Sequence, residues 1–166
     1  MTTQDAVLLF VVNKDEVLLA ESNYREGKTT WNGISGYLEN KEKPEEAAIR
    51  VLYNEVKLRI YEHDLEQVGI MHLYTLYPNN SHKKALRITI FLCERFQGEA
   101  RMTPGVRPRW FNFANIPFGD MFEDTKEWLE RILAGEKLII EVISKIDEHS
   151  NQLSVTDVSV RNIFEK

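Results

Sequence analysis

Cysteine is almost absent from this chain, because among its 166 residues only Cys93 carries a thiol. A single thiol can form neither a disulfide framework nor a cysteine-ligated zinc site, so we expect a fold that depends on its hydrophobic core. A chain of this length can bury about two thirds of the surface that it exposes when unfolded, which is enough for such a core. The scarcity of cysteine also favours a reducing compartment, and we expect a cytoplasmic protein.

Long hydrophobic runs and clusters of basic residues are missing as well. The longest apolar run, Ala6–Val12, has seven residues, far fewer than the ~20 that cross a bilayer, so we expect no membrane interaction. The 21 Lys and Arg residues are outnumbered by 26 Asp and Glu residues, which gives a net charge of −5. We therefore expect no bulk nucleic-acid binding. An acidic protein that binds a phosphorylated ligand needs a metal ion or a few local bases at its site.

Glycine and proline are few, with 8 and 5 residues, and no linker rich in Ser, Gly or Pro interrupts the chain. We therefore expect a single domain over residues 1–166. Two of the glycines lie in the segment 31–36, where we predict a turn.

Apolar segments that are continuous or alternate with polar residues predict the strands. Two pairs of segments are joined by turn-forming residues and predict hairpins: 6–12 with 16–20, and 68–77 with 86–92. Three further strands are predicted at 110–113, 138–143 and 153–160, and the last two form a terminal hairpin over about 137–160.

Two helices are predicted. The first covers residues 44–56 and begins with a proline, which is favourable at the first helical position. The second covers about 125–134, where Gly135 ends it, and Asp124 and Glu127 have the spacing of a capping box. Strands interrupted by one early and one late helix indicate an α+β fold in which a mixed sheet has a helix on each side.

Glu55 is unusual for its place in the first predicted helix. On a helical wheel that starts at Ala47 it falls at about 80°, between Val51 and Ala48, within the apolar arc. A carboxylate on an apolar face is costly unless it is paired, hydrogen-bonded or bound to a metal ion. Two interpretations stay open: a functional carboxylate, or a structural acid in an ion pair or in a frayed last turn.

The segment 36–58 that contains Glu55 carries six residues at a recognisable spacing: Gly36, Glu42, Arg50, Leu52, Glu55 and Leu58. This spacing resembles the Nudix box, Gly-x5-Glu-x7-Arg-Glu-U-x-Glu-Glu-x-Gly-U, in which U is an aliphatic residue. The segments 107–111 and 116–122 and the terminal hairpin are similar to those of the branch of the Nudix family that acts on oxidised purine nucleoside triphosphates.

The resemblance implies a Nudix fold, in which a curved mixed β-sheet is sandwiched between helices (α/β/α). It also implies a Mg²⁺-dependent (or Mn²⁺-dependent) pyrophosphohydrolase of a nucleoside triphosphate or a related nucleoside diphosphate compound. In such an enzyme, carboxylates one helical turn apart hold metal ions that stabilise charge on the phosphates and activate a water.

Three groups of site residues follow from the resemblance. Glu55 is the implied catalytic carboxylate and metal ligand, with the main-chain carbonyl of Ser35 as a further ligand. The implied base-binding residues are Asn32, Phe122 and Asp124. The residues that hold the loop on the helix are Gly36, Glu42 and Arg50.

Several positions depart from the family pattern, so the box is degenerate. Three of the four expected carboxylates are replaced, by Val51, Asn54 and Gly105. Lys57 stands where the pattern has its last glycine, and Tyr37 stands where a basic residue often follows the loop glycine. Asn54 can still offer one neutral oxygen to a metal ion, although Mg²⁺ prefers charged oxygen ligands.

These departures leave several alternatives open. Glu39 or Glu99 could supply a missing ligand from loops that the sequence does not position. The whole chain is either a pyrophosphohydrolase with weakened metal binding or a catalytically silent Nudix domain that binds a nucleotide or a protein partner. Asn32, Phe122 and Asp124 have structural alternatives as a turn residue, a core residue and a helix cap.

Overall fold

The computed structural model describes residues 3–25, 27–78, 83–150 and 152–163, with the backbone alone at residues 24 and 25. The strands in these residues are β1 Thr3–Asn13, β2 Glu16–Arg25, β3 Lys28–Asn32, β4 Ile34–Tyr37, β5 Leu65–Leu76, β6 Lys83–Cys93, β7 Val106–Asn112, β8 Leu138–Ile146 and β9 Leu153–Asn162. The helices are α1 Pro44–Val56 and α2 Leu129–Leu133, with short 3₁₀ turns at Glu62–Asp64, Phe113–Asn115, Phe118–Asp120 and Thr125–Glu127.

The described strands form one mixed sheet in the order β3-β2-β1-β6-β5-β8-β9, with β4 paired to β1 and β7 paired to β2. β1 is parallel to β6 and β5 is parallel to β8, whereas the other pairs are antiparallel. The two predicted hairpins are confirmed as β1-β2 and β5-β6, although residues 79–82 of the second turn lie outside the described residues. The predicted α+β class with a mixed sheet is confirmed.

Strand β1 changes its partner along its length, and this divides the sheet. Its residues Ala6–Leu9 pair with β4, whereas Val11–Asn13 pair with β2. The segment 31–36, predicted as a turn, is instead the end of β3 and the start of β4, with a bend at Gly33. A Cβ atom at Gly33 would lie 2.6 Å from the Leu9 carbonyl oxygen, so only glycine fits where the chain crosses β1.

The two faces of the sheet carry separate cores because successive side chains of a strand point to opposite faces. Val7, Leu9 and Val11 of β1 pack in a cluster with the buried side of α1. Leu8 and Phe10 pack in a second cluster with α2 and β8. A helix therefore covers each face, as predicted, and β1 is apolar throughout because it is buried on both faces.

Helix α1 has the predicted bounds. The Glu46 carboxylate accepts a hydrogen bond from the Lys43 backbone N–H at 3.0 Å, which stabilises its first turn. The helix ends at Lys57, whose backbone is left-handed (φ +66°) and whose N–H donates to the Tyr53 carbonyl at 3.0 Å. A residue with a Cβ atom adopts this conformation at a cost of about 1–2 kcal/mol. No helix in the described ranges is long and apolar enough to cross a membrane.

The second predicted helix is wrong in its extent. Residues 125–127 form a 3₁₀ turn and α2 covers only Leu129–Leu133, because Trp128 between them leaves helical geometry at φ −137°. The predicted capping box is also wrong, since the Asp124 carboxylate accepts a hydrogen bond from the indole N–H of Trp128 at 2.8 Å instead. Gly135 does end the helix, with φ +101° and its N–H bonded to the Ile132 carbonyl.

Candidate functional site

A cavity of about 440 Å³ opens where β1 changes partner. Its walls come from β1, β2, β3, β4, the last turn of α1 and one face of β5 and β6. Five of the residues predicted from the sequence line it: Asn32, Ser35, Gly36, Glu55 and Phe122. These residues come from three separate parts of the chain, 32–36, 55 and 122, and the fold brings them together.

One part of the cavity suits a flat ring. Leu73, Leu86, Ile88 and Phe122 supply apolar and aromatic surface, and Asn32 supplies a polar group. Cavities of this volume, mostly apolar with a few placed polar groups, are typical of small-molecule sites.

The amide of Asn32 has a defined orientation. Its Oδ1 atom accepts a hydrogen bond from the Gly33 backbone N–H at 2.8 Å. Because an N–H donor requires an oxygen acceptor, the Nδ2 donors lie on the other side of the amide. Nearby, the Thr30 hydroxyl donates to the Asp120 carbonyl at 3.1 Å and ties β3 to the segment that carries Phe122. The site can therefore offer a hydrogen-bond donor beside an aromatic surface.

The loop after Gly36 is held on α1 by a partly buried ion pair. Arg50 donates from Nε to Oε2 of Glu42 and from Nη2 to Oε1 of Glu42, both at 2.8 Å, and Nη2 also donates to the Tyr37 carbonyl at 2.8 Å. The Glu39 backbone N–H donates to Glu42 at 2.9 Å. The hydrogen bonds from Arg50, and then the one from Glu39, lower the pKa of Glu42 to about 2. The pair therefore stays ionised over the range in which most proteins function.

Gly36 itself rests on Val51. A Cβ atom added at Gly36 would lie 2.6 Å from one Cγ atom of Val51 and 3.2 Å from the other. Val51 is 3% exposed and belongs to the core under α1. The position at which the family pattern has a carboxylate is therefore used for packing the loop against the helix.

Glu55 and Asn54 are adjacent in the sequence, but they line two different pockets. Glu55 is half-buried and lines the cavity, and its carbonyl accepts a hydrogen bond from the Thr103 hydroxyl at 2.7 Å. Asn54 is exposed and lines another pocket on the helix, so the neutral oxygen expected from it is not in the cavity. Glu39 lies beside Arg50, with 3.6 Å between their charged atoms, and neither Glu39 nor Glu99 lines the cavity.

The residues present do not fit a resident metal ion. Glu55 is the one carboxylate among the residues that line the cavity, and the described part of the chain holds no group of three or more His, Cys, Asp or Glu side chains arranged for a metal. A protein-held Mg²⁺ requires several charged or carbonyl oxygens in near-octahedral positions. The single carboxylate of Glu55 is too little negative charge for the lining residues to hold such an ion by themselves.

Asp124 is not among the residues that line the cavity. It is 7% exposed and bonded to Trp128, and burial raises the pKa of its carboxyl group. Thr125, the next residue, is 2% exposed. Asn32 and Phe122 line the cavity, and the contact between Asp124 and a ligand base stays a prediction.

Lys84 is a residue that the sequence did not single out. It lies on β6 with the same alternation as Leu86 and Ile88, both of which line the cavity. Its Nζ atom lies 5.8 Å from the centre of the Tyr37 ring, which also lines the cavity. Lys84, a cation on β6, thus lies beside Tyr37, the position at which the family pattern often has a basic residue. The alternation of residues 84–88 could have been read from the sequence, but the proximity of Lys84 to Tyr37 could not.

Comparisons with known proteins agree on one family. The NUDIX domain family model matches residues 2–132. The oxidized purine nucleoside triphosphate hydrolase of Danio rerio is 27% identical over 138 residues, which cover 83% of this chain and 85% of that protein. The Mus musculus protein of the same name is 27% identical over 136 residues, which cover 82% and 83%.

Solved structures show the same fold. The mutator MutT protein from Bacillus halodurans superposes with a TM-score of 0.72 at 18% identity, covering 98% of this chain and 99% of that one. A NUDIX hydrolase from Nitrosomonas europaea superposes with a TM-score of 0.62 at 20% identity, covering 81% and 90%.

Proposed function

The chain belongs to the Nudix hydrolase family, and on this basis we propose that it is a slow pyrophosphohydrolase of a nucleoside triphosphate or a related nucleoside diphosphate compound. One observation supports this most: the cavity brings Glu55, the loop at Gly36, the Asn32 amide and the Phe122 ring into one space. The hairpin of β8 and β9 lies beyond the segment that the family model matches, but β8 pairs with β5 in the same sheet. We therefore treat residues 1–166 as one Nudix domain.

The base of the nucleotide lies in the apolar part of the cavity in this proposal. Phe122 provides a surface for stacking, and the Nδ2 donors of Asn32 bind an acceptor on the base. Two relatives are named for oxidised purine nucleoside triphosphates, which supports a purine-like base. The phosphates extend to Gly36 and Glu55, where Lys84 at the rim supplies a positive charge that the lining residues lack.

Magnesium reaches the site as part of the substrate. Members of the family generally use a divalent metal ion, and Mg²⁺ is commonly bound by one or two carboxylates together with substrate phosphates. Glu55 is the carboxylate available for this, and Ser35, whose main-chain carbonyl would be a further ligand, also lines the cavity. Glu55 also accepts a hydrogen bond from the attacking water and orients it toward the phosphate chain. Because Glu55 is the one carboxylate among the described residues that line the cavity, little negative charge is available to position a divalent metal ion, and we expect a low rate of hydrolysis.

A catalytically silent domain that binds a nucleotide or a protein partner is the second candidate. The observation that favours it is the replacement of metal-binding carboxylates: Val51 is buried under Gly36, and Asn54 faces away from the cavity. Such a domain would bind nucleotides in the cavity and release no product.

The test is a screen for released phosphate and pyrophosphate. It covers nucleoside triphosphates, dinucleoside polyphosphates and nucleotide sugars with Mg²⁺ or Mn²⁺, and compares wild type with Glu55→Gln and with Glu66→Gln, an exposed acid on β5 that serves as the matched control. We expect turnover that Glu55→Gln lowers by about 100-fold or more and that Glu66→Gln leaves unchanged. Equal turnover by wild type and Glu55→Gln would remove the catalytic role of Glu55. Calorimetric binding without any turnover would support the silent domain.

Lys84→Gln tests the positive charge at the rim. Because a phosphate loses one charged partner, we expect KM for the nucleotide to rise about tenfold with a smaller change in kcat. Lys83→Gln is the matched control, since Lys83 is the adjacent exposed residue and β6 points it to the opposite face. Equal KM values for the two variants would show that Lys84 does not contact the phosphates.

A further inference from the structure

A second pocket, of about 380 Å³, lies on another side of α1 and shares no lining residue with the cavity. We call it the outer pocket; Tyr53, Asn54, Arg59 and Tyr61 surround a floor of Ile49 and Ile60. The nucleotide site proposed above does not use any of these residues. The outer pocket combines an apolar floor with a polar rim, as small-molecule sites do.

The turn after α1 places Arg59 over the helix. The left-handed backbone at Lys57 reverses the chain, and the backbone N–H and carbonyl groups of Arg59 bond to those of Gln97 at 3.0 and 2.9 Å. The Arg59 guanidinium then lies 4.3 Å from the centre of the Tyr53 ring. Tyr61 is held by stacking on His63, with ring centres 5.5 Å apart. The Arg59 guanidinium and the exposed Tyr61 ring therefore each stack on a neighbouring ring without a ligand.

Among the described residues, the charged ones that line the outer pocket are basic, whereas the one that lines the cavity is acidic. No acidic residue is among those that line it, and its two cations are Arg50 and Arg59. Arg50 is neutralised by Glu42, whereas within the described ranges no carboxylate lies within 4.0 Å of the Arg59 guanidinium. Asn54, which stands where the family pattern has an acid, contributes a neutral amide to this rim. The neutral residue at position 54 thus leaves without a negative charge a pocket in which the Arg59 guanidinium stacks on Tyr53 and has no carboxylate partner among the described residues.

We propose that the outer pocket is a second ligand site, which takes a small phosphate-bearing molecule with a flat ring. The Arg59 guanidinium binds the phosphate through two N–H donors, a geometry that arginine favours. The Tyr61 ring and the floor of Ile49 and Ile60 contact the flat ring, and the amides of Asn54 and Gln97 complete the hydrogen bonds. This site does not depend on hydrolysis in the cavity.

Nuclear magnetic resonance titration of the full chain tests the proposal, because it reports where a ligand binds. Phenyl phosphate and adenosine monophosphate are the probes, and phenol, adenosine and inorganic phosphate are the partial ligands. We expect saturable shifts of the backbone amides of Asn54, Arg59 and Gln97 with both probes, and binding at least tenfold weaker for each partial ligand.

Two variants and a control complete the test. Arg59→Gln removes the charge and Asn54→Glu adds a repulsive one at an exposed position, so each should weaken probe binding at least tenfold. Arg161→Gln, an exposed arginine on β9, should leave it unchanged. Thermal unfolding verifies that each variant is folded. Shifts confined to the cavity amides of Asn32 and Gly36, no saturable shifts, or equal affinity in all variants would overturn the proposal.

Discussion

Replacing Gly36 by alanine should destabilise the protein through a single contact between strand β4, which contains Gly36, and Val51 of α1. The backbone at Gly36 is not left-handed, so alanine can adopt its conformation and the effect comes from packing alone. The new Cβ atom would lie 2.6 and 3.2 Å from the two Cγ atoms of Val51, whereas carbon atoms pack at about 3.5–4.0 Å. Val51 is in the core and cannot turn into solvent. The loop or the helix must therefore shift by up to about 1 Å.

The size of the effect follows from known costs of overpacking. A misplaced methyl group in a core costs about 1–3 kcal/mol. In a domain of this size, 1 kcal/mol lowers Tm by about 2–4 °C, so Gly36→Ala should lower Tm by about 2–12 °C. Val51→Ala alone removes two buried methyl groups and should cost about 2–3 kcal/mol. The double variant relieves the clash, and it should be more stable than the sum of the single changes predicts by about 1–2 kcal/mol.

Urea and thermal unfolding of the four proteins measure this coupling. Gly119→Ala is the matched control, because no atom outside its chain neighbours lies within 4 Å of a Cβ atom there, and its stability should change by less than about 0.5 kcal/mol. Strict additivity of Gly36→Ala and Val51→Ala would show that the two side chains do not clash, as would a Gly36→Ala variant as stable as the control.

Three further predictions concern titratable groups. Glu42→Gln should lower the free energy of unfolding at pH 7 by about 1–3 kcal/mol, as measured by urea titration. Folding lowers the pKa of Glu42 from 4.5 to about 2. The difference in stability between wild type and variant should therefore be complete above pH 4.5 and disappear as the pH falls through 2. Asp124→Asn keeps an acceptor for the Trp128 indole and removes a carboxyl group whose pKa is raised by burial. Its stability at pH 7 should therefore equal or exceed that of wild type, with KM unchanged. Asp124→Leu removes the acceptor and should lower the free energy of unfolding by about 1–3 kcal/mol in equilibrium unfolding. Cys93 is buried, which raises the pKa of its thiol to about 11; a disulfide reagent should modify it at pH 8 only in urea, and rapid reaction of the native protein would contradict this.

The sequence predicted well those features that depend on neighbouring residues. Pro44 sets the start of α1, Gly135 ends α2, and the continuous apolar run of β1 reflects burial on both faces. The helical wheel placed Glu55 within the apolar arc of α1, and in the structure Glu55 is half-buried and lines the cavity. These signals are local because they come from backbone conformation and from the periods of strand and helix.

Other features follow from contacts between distant segments. Asp124 had the spacing of a helix cap and resembled a base-binding residue, but the indole of Trp128 in the core competes for its carboxylate. Residues 31–36 were predicted as a turn, but because the sheet divides at β1 they form two strand ends on either side of Gly33. Neither outcome could be predicted from spacing, because each depends on which distant groups the fold brings within hydrogen-bonding or van der Waals distance.

The fold class, the bounds of α1 and the departures from the family pattern at Val51 and Asn54 could all be read from the sequence. The tertiary structure alone decided what those departures do: Val51 packs beneath Gly36, and Asn54 joins a pocket with Arg59. It also decided that Lys84 stands beside Tyr37 at the rim of the cavity. The physical reason is that a residue's identity sets which interactions it can make, whereas the packing of distant strands and helices sets which partner it meets.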